Sequence, residues 1–196
     1  KDFDLLQRAN NDYTTIDLEH AEELAYRELI DSIRYIPLGD ECGVMGNIAN
    51  IITYKGRFYI QEEQFDRVFI YDDTGRCLKK IDNKGRGPGE YLRIESIDIN
   101  TEKEELMLVD GMSDKLFFYD LDGNFKSIHS IRYFQTENTL CLRDSVFLHI
   151  SAPSQNFGNE GLYGYALVLS KGNENFLKGY RYLPLQVGYK GEGQIF

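Results

Sequence analysis

Two short acidic sequences have the composition of calcium-binding loops. Asp72-Asp73-Thr74-Gly75 recurs 48 residues later as Asp120-Leu121-Asp122-Gly123, and Asp-x-Asp-Gly is how many such loops begin. The remaining ligands are missing, above all the acidic residue expected about six positions later. Asp and Gly are also the residues that hairpin turns require. We therefore predict two turns and assign no metal site.

A glycine-rich sequence, Gly85-Arg86-Gly87-Pro88-Gly89-Glu90-Tyr91, is the second candidate for chemistry. Glycine-rich loops can cradle phosphate groups, but no Lys-Ser/Thr pair and no helix start follow these glycines. Three glycines around a proline fit neither a helix nor a central strand. The interpretation is a compact crossover loop between two structural units.

Histidines and cysteines add little further chemistry. His20, His129 and His149 belong to no nucleophile or metal motif and are interpreted as ordinary surface or core histidines. The three cysteines show no Cys-x-x-Cys spacing and have no nearby histidine, so a zinc site is not predicted. No catalytic residue, metal site or cofactor is assigned. The cysteines are predicted to be buried free thiols: Cys42, Cys77 and Cys141.

Composition bounds the class of protein. The 196 residues carry a net charge of −10, and they include 14 Tyr and 12 Phe but no Trp, which favours strands. An acidic surface repels phosphate backbones and anionic lipids, so nucleic acid and membrane surfaces are not expected as partners. No apolar run approaches the roughly 18 residues of a membrane span. Because no leader precedes Lys1, composition leaves open both a cytosolic protein and an exported one from which a leader was removed.

The elements that position these residues follow a repeat. Residues 66–75 return as residues 114–123 with five of ten positions identical, and upstream Ile51 maps onto Ile99 in the same register. A period in the forties that is built from short strands is typical of β-propeller blades. The sequence therefore predicts an all-β protein, a β-propeller of four-stranded blades.

About three blades are predicted in this chain. Residues 1–33 are assigned to an N-terminal extension with a short helix over 17–33, and residues 34–196 to the blades. A strand over 33–38 precedes them. Three blades cannot close a ring, since propellers have typically 4 to 8, so a fragment is favoured over two copies that share one ring or an open stack. The predicted blade strands are 47–54, 57–61, 67–71 and 76–81, then 95–100, 105–109, 115–119 and 124–131, then 140–142, 146–150, 163–169 and 176–182, with a polar insertion over 151–161.

These features also resemble a known family. Gly85 to Tyr91, followed by strands that end in Tyr119-Asp120-Leu121-Asp122-Gly123, is similar to the six-bladed β-propellers of Bacteroides-type gut bacteria, broad relatives of NHL-repeat propellers. Residues 29–38 resemble the segment that leads into the first blade of that family. The resemblance implies about six blades and an exported location, as a periplasmic protein or surface lipoprotein. It implies no particular chemistry.

Propeller geometry predicts where a ligand would bind. Loops that join strands two and three of a blade share one face with loops that join successive blades, and loops on a rigid scaffold are where function concentrates. The predicted function is a non-enzymatic, exported binding or scaffold module that presents this face to a glycan or protein partner. The predicted ligand-binding residues are Gln64, Phe65, Arg86, Glu90, Tyr91, Asp110 and Met112.

The alternative is a metal-assisted hydrolase or lyase with its site at the propeller channel. It requires carboxylates or histidines on the inner strand of each blade. The inner strands are predicted to present Ala49, Ile51, Ile97 and Ile99, which disfavours this alternative, whereas Asn47, Asn50 and Asp98 keep it open.

Overall fold

The computed structural model describes residues 30–131, 138–143, 145–150, 165–172 and 175–181. These residues form three four-stranded antiparallel sheets, and in each sheet the strands follow one another in chain order. The predicted all-β class, with three four-stranded blades, is confirmed. The strands are β1 (Ile48–Tyr54), β2 (Arg57–Glu62), β3 (Arg67–Asp72), β4 (Cys77–Ile81), β5 (Ser96–Asn100), β6 (Glu105–Asp110), β7 (Lys115–Asp120), β8 (Phe125–Ser130), β9 (Asn138–Cys141), β10 (Val146–Ile150), β11 (Tyr165–Lys171) and β12 (Asn175–Arg181).

The acidic sequences form the turns that were predicted. Asp72 accepts hydrogen bonds at one carboxylate oxygen from the backbone N–H groups of Thr74 and Arg76, both at 3.0 Å. Asp120 closes the equivalent turn of the second blade in the same way. Gly75 has a φ of 88°, a conformation that favours glycine. The Asp and Gly residues are therefore accounted for by turn formation.

The blades stack face to face through two apolar clusters. Because successive side chains of a strand point to opposite faces of the sheet, each blade contributes alternate residues to the cluster on either side. The first cluster joins blades one and two and contains Tyr59, Val68, Ile70, Ile81, Tyr91, Ile94, Ile97, Ile99, Leu106, Leu108, Phe117 and Tyr119. The second joins blades two and three and contains Met107, Val109, Leu116, Phe118, Ile131, Phe147 and Val168.

This stacking corrects the prediction for the inner strands. Ile97 and Ile99 are 2% and 5% exposed and pack between blades one and two, so they do not line a channel. Ile51 is 51% exposed. The reason is geometric, because side chains stand perpendicular to a sheet and the sheets face one another.

The repeat register is also corrected at the inner strands. Ile51 pairs with Ile60, and Ile97 pairs with Leu108. Since Ile60 and Leu108 are equivalent in the 48-residue repeat, Ile51 corresponds to Ile97 and the mapping onto Ile99 is wrong. The shift arises in the hairpin turns, which span residues 55–56 in the first blade and 101–104 in the second.

The predicted strand over 33–38 is not a strand in the structure. The chain instead folds back along the outer edge of the first blade, where Gly39 N donates to Gly75 O at 2.8 Å. The Tyr71 hydroxyl donates to Gly39 O at 3.3 Å. Alternation of apolar residues is not sufficient for a strand when no neighbouring strand pairs with it. We call residues 36–47 the covering segment.

The cysteine prediction is wrong for two of the three residues. Cys42 and Cys77 form a disulfide across 35 residues, because the covering segment brings Cys42 onto β4. Met45 and Cys42 pack on a buried cluster of Ile60, Phe69, Tyr71 and Cys77 on the outer side of the first blade. Cys141 is free, as predicted, but only half-buried.

Several predicted features lie outside the described residues. These are most of the N-terminal helix, the insertion over 151–161, and His20. In the described part of the chain, no helix is long and apolar enough to cross a bilayer.

Candidate binding face

The loops that the sequence analysis predicted to form a binding face lie at one end of the blade stack. The turns 63–66 and 111–114 close the β2–β3 and β6–β7 hairpins, and the connector 82–95 joins the first two blades. At this end Glu63 N donates to Asn47 O at 3.0 Å, and Glu95 N donates to Val109 O at 2.8 Å. We call this end of the stack the loop face.

Five of the seven predicted binding residues are exposed on the loop face. Phe65 and Met112 are large apolar residues in the two turns, and they are 45% and 65% exposed. Gln64, Arg86 and Glu90 are exposed polar residues of the turn 63–66 and the connector. The face therefore combines apolar side chains with a polar surround.

Tyr91 and Asp110, the other two, are buried beneath this face, at 0% and 1% exposure. The Tyr91 hydroxyl donates to Asp66 O at 2.8 Å and accepts from Asn83 N at 3.1 Å. Its ring meets Phe117 edge-on with 6.0 Å between the ring centroids. Burial raises the pKa of Tyr91, so the hydroxyl stays neutral. Tyr91 thus fastens the connector to the turn 63–66.

Buried carboxylates hold the two turns in shape. Asp110 accepts hydrogen bonds from the backbone N–H groups of Met112 at 3.0 Å and Ser113 at 3.1 Å. Its other oxygen accepts from Leu92 N at 2.7 Å, which ties the turn to the connector. Glu62, at the equivalent strand end, accepts from backbone N–H groups two and three residues later, at 2.9 and 3.2 Å. These carboxylates are occupied by the loops that they support.

The glycine-proline sequence is a compact crossover loop, as predicted. Gly85 N donates to Tyr91 O at 2.9 Å, which closes the loop at its base. The Glu90 carboxylate accepts from Gly87 N at 2.7 Å, and Gly89 has a φ of 83°. The loop is therefore braced by its own side chain, and Arg86 is displayed at the surface.

Asp66 is a central residue that the sequence reasoning did not single out. It is 6% exposed with a φ of 57°. Its carboxylate accepts from Ile94 N at 3.1 Å and forms an ion pair with Lys84. A signal was present, because Asp66 opens the repeated decapeptide and Asp114 is its equivalent, with a φ of 53°.

A cavity of about 210 Å³ opens on the loop face at the junction of the first two blades. We call it the junction cavity. Its walls come from β1, β2, the turn 63–66 and the end of the connector, so a single rigid junction builds it. The lining residues are Ala49, Gln61, Glu63, Asp66, Arg93, Ile94 and Glu95.

The histidine of the third blade is a buried core residue, as predicted. His149 Nδ1 lies 2.9 Å from Thr139 Oγ1, and Nε2 lies 2.8 Å from Ser170 Oγ. Burial lowers the pKa of His149 to about 4. Burial also lowers the pKa of His129, whose ring contacts Phe118. In the described residues, no three His, Cys, Asp or Glu side chains are grouped as metal ligands would be.

Several solved structures are similar to this chain, and the first described here shares its fold. A Bacteroides fragilis protein, provisionally described as exported, is 18% identical over 77% of this chain and 43% of its own, with a TM-score of 0.65. U3-55K is 11% identical over 69% of this chain and 39% of its own, with a TM-score of 0.49. The WD40 repeats of RRP9 are 10% identical over 69% and 38%, with a TM-score of 0.48. The chain thus spans less than half the length of each of these structures.

The sequence comparisons identify a family but no curated relative. No curated protein matches the chain at a significant level. The family described as "Domain of unknown function (DUF4934)" matches residues 13–189, which is most of the chain. The chain therefore belongs to the DUF4934 family.

Proposed function

We propose that this chain is a non-enzymatic, exported binding or scaffold module whose loop face holds a glycan or protein partner. One observation carries the proposal: Phe65 and Met112 are exposed on turns whose backbones are fixed by the buried carboxylates of Glu62 and Asp110. Exposed apolar side chains on a rigid loop, with polar residues around them, are characteristic of binding surfaces. Such preorganisation also lowers the entropy that binding would cost.

The disulfide supports an exported location. Disulfides persist in oxidising compartments and are rare in the cytosol, and Cys42–Cys77 is well placed to fasten the covering segment. The Bacteroides fragilis structure provisionally described as exported has the same fold. A periplasmic or surface lipoprotein location is the specific form of this proposal, and it rests on the resemblance to the Bacteroides propellers.

We also propose that further blades complete a six-bladed ring. Ile51 and Ile97 are equivalent, yet Ile51 is 51% exposed whereas Ile97 is 2% exposed beneath the first blade. The covering segment already buries Ile60 and Phe69 on this side of the first blade, and another blade that packs on the uncovered Ile51 would bury it in the same way. A dimer of the 22.7 kDa chain in light scattering would assign the ring to two copies. If the chain is a monomer and binds the loop-face ligand without any further blades, that result would contradict the need for more blades.

The hydrolase or lyase alternative receives no specific support from the channel side. Asp98 is the inner-strand carboxylate, and burial raises its pKa. One of its oxygens accepts from Cys141 N at 2.5 Å, so Asp98 fastens β5 to β9. We therefore retain binding as the function.

The test is a screen of glycan and peptide arrays with the whole chain, followed by matched variants. Phe65→Ser/Arg86→Ser/Met112→Ser removes the exposed side chains of the loop face. Asp73→Ser, in a turn at the opposite end of the blades, is the control. We expect the first variant to lose about tenfold or more in affinity for the array ligand and the control to lose none. Equal affinity of both variants would contradict the proposal.

A further inference from the structure

The junction cavity is lined by a buried residue, Gln61, whose amide oxygen accepts no hydrogen bond within the described residues. Gln61 is 3% exposed and lines the cavity. Its amide nitrogen donates to the carbonyl oxygens of Ile94 at 3.0 Å and Glu95 at 3.3 Å. In the described part of the chain nothing donates to the amide oxygen, and a carbonyl oxygen has two lone pairs to fill. Because the nitrogen is held by the connector, the oxygen is the atom left to the cavity.

The second blade shows that the fold does not need this amide. Val109 is equivalent to Gln61 in the 48-residue repeat, and it is fully buried in the core between blades two and three. Gly111 occupies the position of Glu63. Asp66, by contrast, keeps its counterpart in Asp114, as expected of a residue that holds the turn. Gln61 and Glu63 are therefore specific to the first junction.

The charge of the lining favours a cationic group. Three acidic residues, Glu63, Asp66 and Glu95, and one basic residue, Arg93, line the cavity. Arg93 Nε already lies 3.3 Å from a Glu95 oxygen, and Asp66 pairs with Lys84. Within the described residues, no cation pairs with Glu63. Gln61 and Glu63 thus offer a neutral and an anionic acceptor that the protein itself does not use.

The size of the cavity limits what can enter. Pockets for whole small-molecule ligands usually measure about 300–1,000 Å³, and this one measures about 210 Å³. It suits the end of one side chain. We infer that the junction cavity binds the ammonium or guanidinium group of a basic side chain on a protein partner, with the Gln61 amide oxygen and the Glu63 carboxylate as acceptors. This inference rests on the proposed binding function and narrows the partner to a basic protein surface.

The experiment is an NMR titration of the whole chain with defined probes. N-acetyl-lysine methylamide and N-acetyl-arginine methylamide carry the cationic group. N-acetyl-norleucine methylamide has a similar length without the charge, and methyl glucoside represents a glycan. We expect the two cationic probes to shift the amide signals of Gln61 and Ile94, and the neutral probes to leave them in place. Equal shifts with norleucine or glucoside would overturn the inference.

Two variants locate the binding. Gln61→Val copies Val109 of the second blade, and Glu63→Gln removes the unpaired carboxylate. Each is expected to weaken the binding of the cationic probes about tenfold, as loss of a charged hydrogen bond does, while Asp73→Asn at the opposite end changes nothing. If Gln61→Val does not fold, the affinity of Glu63→Gln for the cationic probes decides the test, because Glu63 is exposed and its substitution should not disturb folding. Unchanged affinity in Glu63→Gln overturns the inference.

The outcome also separates this inference from the proposed function. If array ligands still depend on Phe65, Arg86 and Met112 while cationic probes do not bind, the cavity inference fails and the binding module stands. If the cationic probes bind at Gln61 and the loop-face variant has no effect on any array ligand, the cavity inference stands and the binding role of Phe65, Arg86 and Met112 fails.

Discussion

Breaking the Cys42–Cys77 disulfide is expected to lower the free energy of unfolding by about 3.5–4 kcal/mol. The bond closes a loop between residues 35 positions apart. A cross-link of that length restricts the unfolded chain and thereby stabilises the folded one, by an amount that grows slowly with loop length. The folded chain also depends on the bond locally, because Cys42 and Met45 pack on Tyr71 and Phe69.

Urea unfolding measures this effect. The variant Cys42→Ser/Cys77→Ser is compared with the wild type under non-reducing conditions, with far-UV circular dichroism as the signal. With a denaturant slope of about 2 kcal/mol per molar urea, the unfolding midpoint should fall by about 2 M. Dithiothreitol added to the wild type should lower its midpoint to that of the double variant.

Cys141 provides the internal control. Its thiol is free and half-buried, and burial raises its pKa to about 12, so it remains protonated. Cys141→Ser should shift the midpoint far less than the double variant does. The reasoning would be refuted if reduction left the wild-type midpoint in place, or if it lowered the midpoint of Cys42→Ser/Cys77→Ser as well.

Three further predictions follow from burial. Burial lowers the pKa of His149 from 6.5 to about 4, so the unfolded chain takes up a proton before the folded one. Above pH 6.5 this group should not affect the free energy of unfolding, which should fall by about 2–3 kcal/mol between pH 6.5 and pH 4. Urea unfolding of His149→Gln at pH 6.5 and pH 4 should show a smaller fall than the wild type. An equal fall in the two proteins would contradict the assignment. Tyr91→Phe leaves Asn83 N and Asp66 O without the hydroxyl and should cost about 1–2 kcal/mol in thermal or urea unfolding. Tyr35→Phe, at a residue 89% exposed, should cost nothing, and similar losses in both would count against the fastening role of Tyr91. Ile97→Ala should cost about 2–4 kcal/mol and the equivalent Ile51→Ala less than about 1 kcal/mol in the isolated chain. A large loss in Ile51→Ala would show that this face is already covered in solution.

The blades were predictable because their signals are local. Hairpin turns at Asp72–Gly75 and Asp120–Gly123 use residues whose own side chains close the turn, and these residues recur in the repeat. The middle strands between them, such as β3 and β7, carry continuous apolar runs, as strands that are buried on both faces require. Even the third blade, which lacks the repeat, was predicted from such strands and turns, and β9 to β12 lie close to the expected positions.

Long-range contacts were not predictable in the same way. The disulfide depends on the covering segment folding back onto β4, and nothing in the spacing of Cys42 and Cys77 indicates it. Residues 33–38 have a strand-like pattern but no strand beside them. The register at Ile51 was missed because two extra turn residues precede Glu105, and the repeat comparison ignored them.

The sequence predicted which loops form the candidate site, but not which of their residues are displayed and which support the loops. Loop positions alone could not distinguish Phe65 and Met112, which are displayed, from Tyr91 and Asp110, which hold the loops. That distinction depends on which backbone N–H groups each carboxylate or hydroxyl satisfies, as Asp110 does for Met112 and Ser113. The junction cavity was missed because Gln61 lies within a strand and looks like an ordinary polar residue in the sequence.

The most direct test of the loop face as a binding surface is amide chemical-shift mapping with the strongest ligand from the array screen. The account predicts that the perturbed signals concentrate in residues 63–66, 84–91 and 111–113. Perturbations that concentrate instead in the turns at the other end, 55–56, 73–75 and 121–123, would contradict it.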